Sequence, residues 1–240
     1  MHYNQNSMDM TMLSGTTHIH NGIESSESDM DRTMRSNGFG DTKIQALVGL
    51  LNSQNYHLVG AFGVSLPTGS IGVEGDANTM YSGQRFPYAM QLGSGTYDLL
   101  PAINFLVKKG KVTWSSQVSA VVRLGENKVG YTWGNEYSTN HWLSLKWAYR
   151  FSSSARLEAL TASFLKGRDN TLFAGYEPAA NPFNYGGQRV NAFIGANYYF
   201  TNGLINGTKL GIEYGIPLYQ NLFGPQMGNR SFLLVSWSLC

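Results

Sequence analysis

The chain has 240 residues and a formal net charge of +2, and only 13% of its residues are charged, about half the share usual in soluble domains. The small net charge gives no reason to expect a nucleic-acid partner, and a single cysteine, Cys240, excludes an internal disulfide. No run of about eighteen apolar residues occurs, so the sequence predicts no transmembrane helix.

The first forty residues predict one strand followed by a long polar loop. The opening residues, MHYNQNSMDM, lack the basic and then apolar character of a signal peptide. From Ser7 to His18, Met8, Met10 and Met12 alternate with Asp9, Thr11 and Leu13, which is the period of a strand. A methionine-rich strand accounts for this pattern without a metal, and we predict neither a metal site nor a cofactor.

From Asp41 onward, nine further segments alternate apolar and polar residues. The clearest runs from Val112 to Leu124, where Trp114, Val118 and Val122 alternate with polar Gln117 and Arg123. This run has about thirteen residues, whereas a strand of a soluble domain usually has about five or six. The predicted strands, in chain order, are 42–51, 56–66, 97–107, 112–124, 143–151, 155–166, 189–200, 209–216 and 231–240.

The connections between these strands alternate strictly between short and long. The short connections are predicted at Asn52–Asn55, Lys108–Lys111, Ser152–Ser154 and Thr201–Gly207, and the long ones at about 67–96, 125–138, 167–188 and 217–230. Short turns at one end and long loops at the other are typical of an antiparallel up-and-down transmembrane β-barrel. With the first strand, ten strands are visible, an even number as bacterial barrels require, and twelve or more are expected in the full-length protein.

Alternation alone does not decide which row of side chains faces outward. A soluble ligand-binding barrel places the apolar row inside, whereas a membrane barrel places it in lipid. Most predicted strands have nine or more residues, enough to cross a bilayer at a tilt, and small or weakly polar residues fill the polar row. Aromatic residues lie near strand ends, where interfacial girdles form: Tyr56, Tyr97, Trp114, Phe151, Phe200, Tyr214 and Trp237. These features favour the membrane barrel.

Five segments resemble a family of Gram-negative outer-membrane proteins, the transporters of the type named after the MetA pathway of phenol degradation. They are GFGDTKIQALVGLL (38–51), VSLPTGSI (64–71), LGSGTYDLLPAINFL (92–106), NPFNYGGQRVNAFIGANYYF (181–200) and EYGIPLYQNLFGPQM (213–227). The resemblance implies a β-barrel in the bacterial outer membrane and transport of small solutes, with aromatic compounds as the class that the family label suggests. Members carry further sequence upstream, so the resemblance implies that this chain is N-terminally truncated.

Nine charged or titratable residues share the polar row and are the candidates for lining the lumen. They are His57, Arg123, Lys146, Arg150, Arg156, Glu158, Arg189, Lys209 and Glu213. Cations outnumber acids in this set, so an open pore would favour anionic or polarisable solutes. Alternatively, arginine–glutamate pairs across neighbouring strands fill a closed barrel with a satisfied polar network. The sequence leaves these two interpretations open.

The sequence therefore predicts one β-barrel domain over residues 1–240, with a poorly defined region 1–40 and the barrel strands in 41–240. The predicted function is a channel or transporter for small solutes in contact with outer-membrane lipid. The alternative is a closed outer-membrane barrel with a structural or surface-binding role, and a soluble ligand-binding barrel is favoured less. No motif places a serine beside His141 for nucleophilic catalysis, so we predict no enzyme.

Overall fold

The computed structural model of the chain describes residues 3–8, 34–75, 82–172, 178–203 and 205–239. Within them the regular structure is antiparallel β, with three single-turn 3-10 helices in the long loops. The strands are Tyr3–Met8 (β1), Met34–Phe39 (β2), Thr42–Asn52 (β3), Tyr56–Leu66 (β4), Tyr97–Leu99 (β5), Ala102–Lys109 (β6), Val112–Leu124 (β7), Tyr131–Thr132 (β8), Glu136–Lys146 (β9), Phe151–Ala162 (β10), Lys166–Gly167 (β11), Gly187–Phe200 (β12), Thr208–Leu222 (β13) and Phe232–Leu239 (β14).

One large sheet contains ten of these strands, and each pairs antiparallel with its neighbours along the chain. The order is β14-β13-β12-β10-β9-β7-β5-β4-β3, and β6 continues β5 end to end, between the same two strands β4 and β7. The strands β5 and β6 are two halves of one predicted span, separated at Leu100 and Pro101. A proline has no backbone N–H to donate to a sheet, and the ladder is interrupted there. The predicted all-β, antiparallel, barrel-like architecture is confirmed.

Two predictions about the first forty residues need correction. The first strand begins at Tyr3 and not at Ser7, and it pairs with β2 from Tyr3 opposite Phe39 to Met8 opposite Met34. The strand β2 lies inside the region predicted to be a loop. Its buried side is polar, since Ser36 is 3% exposed between exposed Arg35 and Asn37, so a search for alternating apolar residues did not detect it. The rest of the predicted first strand, 9–18, lies outside the described residues.

The turn predicted at Ser152–Ser154 is also wrong. The three serines pair with Lys146, Leu145 and Ser144 and belong to β10. The chain reverses at 147–150 instead, where the backbone N–H groups of Trp147 and Ala148 both donate to the carbonyl of Phe151. Serine favours turns only weakly, and a complete backbone ladder outweighs that preference. Arg150 therefore lies in a turn and not in the polar row of a strand.

The two faces of the large sheet differ sharply in chemistry and exposure. The outer face carries the apolar row, with Ile194 69%, Phe62 58% and Val118 54% exposed. The inner face carries the polar row, where Asn191 is 4% and Asn140 8% exposed. Soluble monomers rarely expose contiguous apolar patches larger than a few hundred Å², so the outer face is organised as an apolar exterior.

The β-bulges preserve this division of faces along the longest strands. In β13 the register shifts by one residue, so that Tyr219 pairs with Val190 and Pro217 pairs with Asn191 across the two strands. A one-residue slip would otherwise exchange the two faces, but the extra residue, Leu218, absorbs the shift. A second shift in β3 lies between Gly49 and Leu51.

Among the described residues, β3 and β14 each pair with only one other strand of the large sheet. No helix in this part of the chain has the length and apolar character needed to cross a membrane.

The two ends of the large sheet differ in their connections. The "turn end" is the end with the short connections at 53–55, 110–111, 147–150 and 201–207, and the "loop end" is the opposite one.

Candidate functional site

The upper part of the inner face, toward the loop end, contains an ion-paired arginine. Arg123 on β7 donates through Nη1 to Asp98 on β5 at 2.6 Å and through Nη2 to Glu136 on β9 at 2.9 Å. Asp98 is almost fully buried and also accepts a hydrogen bond from the Thr96 hydroxyl at 2.7 Å. Charge-assisted bonds of this kind are about twice as strong as neutral ones, so Arg123 cross-links three neighbouring strands.

The middle of the inner face contains a second network, centred on Arg156 of β10. Its guanidinium donates through Nη2 to Glu213 Oε2 on β13 at 2.9 Å and lies 3.7 Å from Glu158 Oε1. Glu158 in turn accepts a hydrogen bond from Asn191 Nδ2 at 2.9 Å, and Asn140 Oδ1 lies 3.4 Å from Arg156 Nη1. Three predicted candidates, Arg156, Glu158 and Glu213, are therefore brought together in one polar network, in which the buried Oδ1 of Asn191 alone has no hydrogen-bond partner among the described residues.

An aromatic surface supports the Arg156 guanidinium. The guanidinium carbon lies 3.6 Å from the centre of the Phe193 ring and 5.9 Å from that of Trp142. Phe193 can lie flat against the sheet because residue 215 on β13 is glycine, and a Cβ at that position would overlap the ring. A cation over an aromatic face is stabilised by the ring quadrupole, so Arg156 is held in place from both sides.

The turn end of the sheet carries basic residues that have no acidic partner among the described residues. Lys146 at the end of β9 is exposed, and its Nζ lies 5.4 Å from the centre of the Tyr149 ring. Lys209 at the start of β13 has its Nζ 5.9 Å from the Tyr199 ring. His57 lies half-buried at the start of β4, and Arg150 lies exposed in the turn that precedes β10. Three of these candidates, His57, Lys146 and Lys209, therefore have inner-face parity at the turn end, whereas Arg150 lies in the turn itself.

Arg189 is the ninth candidate, and it lies at the opposite end of the inner face. It is half-buried near the start of β12, where it pairs with Leu160 of β10 and Gln220 of β13. The structure therefore divides the predicted set into three groups: the ion-paired residues in the middle and upper part, the basic residues at the turn end, and Arg189 at the loop end.

A compact apolar core lies in the long loops. Its fully buried members are Tyr88, Tyr131 and Leu165, with Tyr185 beside them. The Tyr88 ring meets Tyr131 edge-on at 4.7 Å and Tyr185 at 5.6 Å. We call these four residues the loop cluster. They come from three different long loops, so the cluster fastens the loops to one another at the loop end.

A buried carboxylate fastens two of these loops further. Asp169 Oδ2 accepts a hydrogen bond from Arg85 Nη1 at 2.6 Å, and Asp169 Oδ1 accepts one from the Thr171 hydroxyl at 2.6 Å. The backbone N–H of Asp169 donates to the Tyr88 hydroxyl at 3.1 Å. Burial acts to raise the pKa of Asp169, but the hydrogen bonds of Thr171 and Arg85 and the arginine charge outweigh it, so the pKa is lowered. The carboxylate therefore stays ionised and bound at neutral pH.

The loop cluster is expected to open in alkaline solution. Burial raises the pKa of Tyr131 to about 12, from an ordinary value of 10.0, so the packed loops bind the phenolic proton more tightly than opened loops do. The buried phenol of Tyr131 therefore contributes about 2–3 kcal/mol to the free energy of opening the loops. This contribution is fully present below pH 10 and is lost as the pH rises toward 12. Cleavage of the long loops by subtilisin, a protease that works in alkaline solution and does not need a charged lysine, should accelerate in that window, while ultraviolet absorbance follows tyrosinate formation.

The control for this prediction is Tyr131→Phe, which keeps the ring and removes the titratable hydroxyl. In this variant, loop opening should need a higher pH, since the raised pKa of Tyr131 is gone while that of Tyr88 remains. Tyrosinate formation complete near pH 10, with no change in cleavage, would contradict the role of the cluster.

Several functional residues were not predicted from the sequence. Asp98 and Glu136 complete the Arg123 network, and Trp142 and Phe193 support Arg156. Asp98 has the parity of the polar row between Tyr97 and Leu99, a signal that could have been used. Glu136 and Trp142 were missed because β9 was predicted to begin seven residues too late, whereas it runs from Glu136 to Lys146. Among the described residues no group of three metal-ligating side chains occurs.

Comparison with known proteins identifies the fold class. No family model matches the chain, and no curated protein matches it. Among solved structures, an outer-membrane channel from Pseudomonas putida F1 is similar, with a TM-score of 0.59 and 15% sequence identity over 85% of this chain and 69% of that chain. At this identity the likeness shows the fold alone. The resemblance to the phenol-degradation transporter family stays a prediction.

Proposed function

We propose that the chain forms a transmembrane β-barrel of the bacterial outer membrane and provides a passage for small solutes. The observation that carries the proposal is the inverted distribution of side chains, with large apolar residues exposed on the outer face and charged residues on the inner one. In water this arrangement is unfavourable, whereas in a bilayer the apolar face contacts lipid and the polar face lines the lumen. The barrel forms one domain.

The outer face also supplies the aromatic residues that membrane barrels place at the interfaces. Tyr56, Trp114 and Phe151 lie near the turn end, and Tyr97 lies near the loop end; all four are exposed on the outer face. Aromatic rings favour the headgroup region because one edge is apolar and the other is wet. The similar fold of the Pseudomonas putida F1 channel supports the same function, and the family resemblance suggests aromatic compounds as solutes.

A second candidate function, a closed barrel with a surface-binding role, is favoured by the loop cluster and by the Arg156 network. The loop cluster holds three loops together at the loop end, and the Arg156 network joins four strands across the inner face. A barrel whose polar interior is filled by such a network would present its loops outward and would not conduct.

Conductance separates the two candidates. The protein, refolded in detergent and added to a planar lipid bilayer, should produce discrete current steps at neutral pH if it is a channel. The variant Arg85→Ala, which removes the contact between Arg85 and Asp169 and leaves the inner face of the strands intact, is the matched comparison. Currents in the variant alone would favour a barrel closed by its loops, and silence in both would reject the channel function.

A further inference from the structure

Within the described part of the chain, the four short connections of the large sheet carry positive charge only. The sequence around the four short connections and at the end of β14, residues 52–57, 107–113, 145–153, 199–209 and 238–239, contains no aspartate or glutamate. The same segments contain six cations: Lys108, Lys109, Lys111, Lys146, Arg150 and Lys209. The acidic residues Asp98, Glu136 and Glu213 lie in the middle of the sheet or at its loop end, where they pair with arginines. Within the described residues, a group of cations without acidic partners therefore lies at the turn end of the sheet.

A cavity lies inside this positive end. It has a volume of about 460 Å³ and is lined by Lys108, Lys111 and Lys146, by the hydroxyl residues Thr113, Ser144 and Ser152, and by the aromatic residue Tyr199. Cavities that hold small organic ligands typically measure about 300–1,000 Å³. The size is therefore suitable for a compact solute.

The backbone pairing brings the lysines to one place. Lys108 on β6 lies opposite Thr113 on β7, and Lys146 on β9 lies opposite Ser152 on β10. The backbone N–H of Lys146 donates to the carbonyl of Lys111 at 2.8 Å. Lys108 and Lys146 have the parity of the inner face, so their side chains belong to the cavity and not to the lipid surface.

The three ammonium groups have no counter-charge within the described part of the chain. None of them lies within 4.0 Å of a carboxylate oxygen of the described residues. Three unpaired cations around one cavity repel each other, and a bound anion relieves that repulsion and accepts their hydrogen bonds. Neighbouring serine and threonine hydroxyls supply further neutral donors.

We propose that this cavity is a binding site for a small soluble oxyanion, a carboxylate or a phosphate, which seats its charged group among Lys108, Lys111 and Lys146. The proposal deepens the channel function and rests on it for its biological meaning, because it makes anionic solutes the class that gathers at the turn-end mouth. Tyr149 and Tyr199 provide apolar walls beside the lysines, so an aromatic carboxylate fits better than a bare inorganic ion.

The test measures binding directly on the folded protein in a non-ionic detergent. Inorganic phosphate is the probe, and its phosphorus NMR line should broaden saturably with protein and sharpen again when benzoate is added. The double variant Lys108→Gln/Lys146→Gln should weaken binding by roughly five- to tenfold, the product of two partly exposed charge interactions. Heat-modifiable migration on a gel, unchanged from the wild type, verifies that the variant folds.

The matched control is Lys128→Gln/Lys166→Gln, which removes the same charge from exposed lysines of the long loops. Equal weakening in the two double variants, or no saturable binding in the wild type, would overturn the proposal. Displacement of phosphate by short-chain phosphatidylglycerol but not by benzoate would also overturn it, since the lysines would then serve a lipid headgroup.

The planar-bilayer measurement distinguishes this proposal from the channel function itself. Anion binding without conductance would uphold the site and reject the channel. Conductance without saturable anion binding would uphold the channel and reject the site.

Discussion

Replacing Arg156 with methionine is expected to lower the free energy of unfolding by about 3 kcal/mol, the lower end of the range for removing one partner of a buried ion pair. Arg156 is 11% exposed and Glu213 27%, so some solvent screening is included in that figure. Methionine keeps the apolar contact with Phe193 but leaves Glu213 and Glu158 without their cation. Urea unfolding of the protein in lipid vesicles, followed by tryptophan fluorescence, measures the change.

The matched control is Lys146→Met, on the neighbouring strand and the same face. Lys146 is exposed and has no ion pair among the described residues, so its replacement should cost less than about 1 kcal/mol. The double variant Arg156→Met/Glu213→Gln should recover part of the loss, since it removes one of the two unmatched carboxylates. If Arg156→Met and Lys146→Met cost the same small amount, the inner network does not stabilise the barrel.

The sequence was sufficient for the elements whose pattern is local. Alternation over Val112–Leu124 and the segregation of short turns from long loops predict the order of the strands, because both depend only on neighbouring residues. The choice of ion-pair partners was not predictable in this way. Arg156 meets Glu213 across β12, and that contact depends on the register of three strands. A single extra residue such as Leu218 changes that register locally.

The loop cluster was also beyond the reach of a local pattern. Tyr88, Tyr131, Leu165 and Tyr185 are separated by twenty or more residues, and none lies in an alternating run of the large sheet. Their packing depends on how three loops fold over one another. The turn at 147–150 was missed for a related reason, since the three serines after it resemble a turn until their pairing with β9 is seen.

Replacing Val118 with arginine is the second change with a large expected effect. Val118 lies midway along β7 on the outer face and is 54% exposed. If this face contacts lipid, an arginine near the middle of the bilayer should lower the free energy of unfolding by about 2–4 kcal/mol. The valine side chain makes few internal contacts, so lost packing contributes little to that cost.

Gln117→Arg is the matched control, one residue away on the same strand. Gln117 is half-buried on the inner face, opposite Asn104 and Asn140, and in a water-filled lumen an arginine at this position can remain hydrated. Its replacement should therefore cost less than that of Val118. The difference in cost between the two substitutions tests which face of the sheet contacts lipid, and it does not depend on the absolute stability of the protein.

The difference in unfolding free energy between Val118→Arg and Gln117→Arg, measured in the same lipid vesicles, is the most direct test of the central claim. An outer-membrane barrel requires that Val118→Arg be the more costly change, by about 2 kcal/mol or more. The opposite order, with Gln117→Arg the more costly and the wild type folding as a monomer in plain buffer, would mean that the polar face is the solvent face and would reject the membrane barrel.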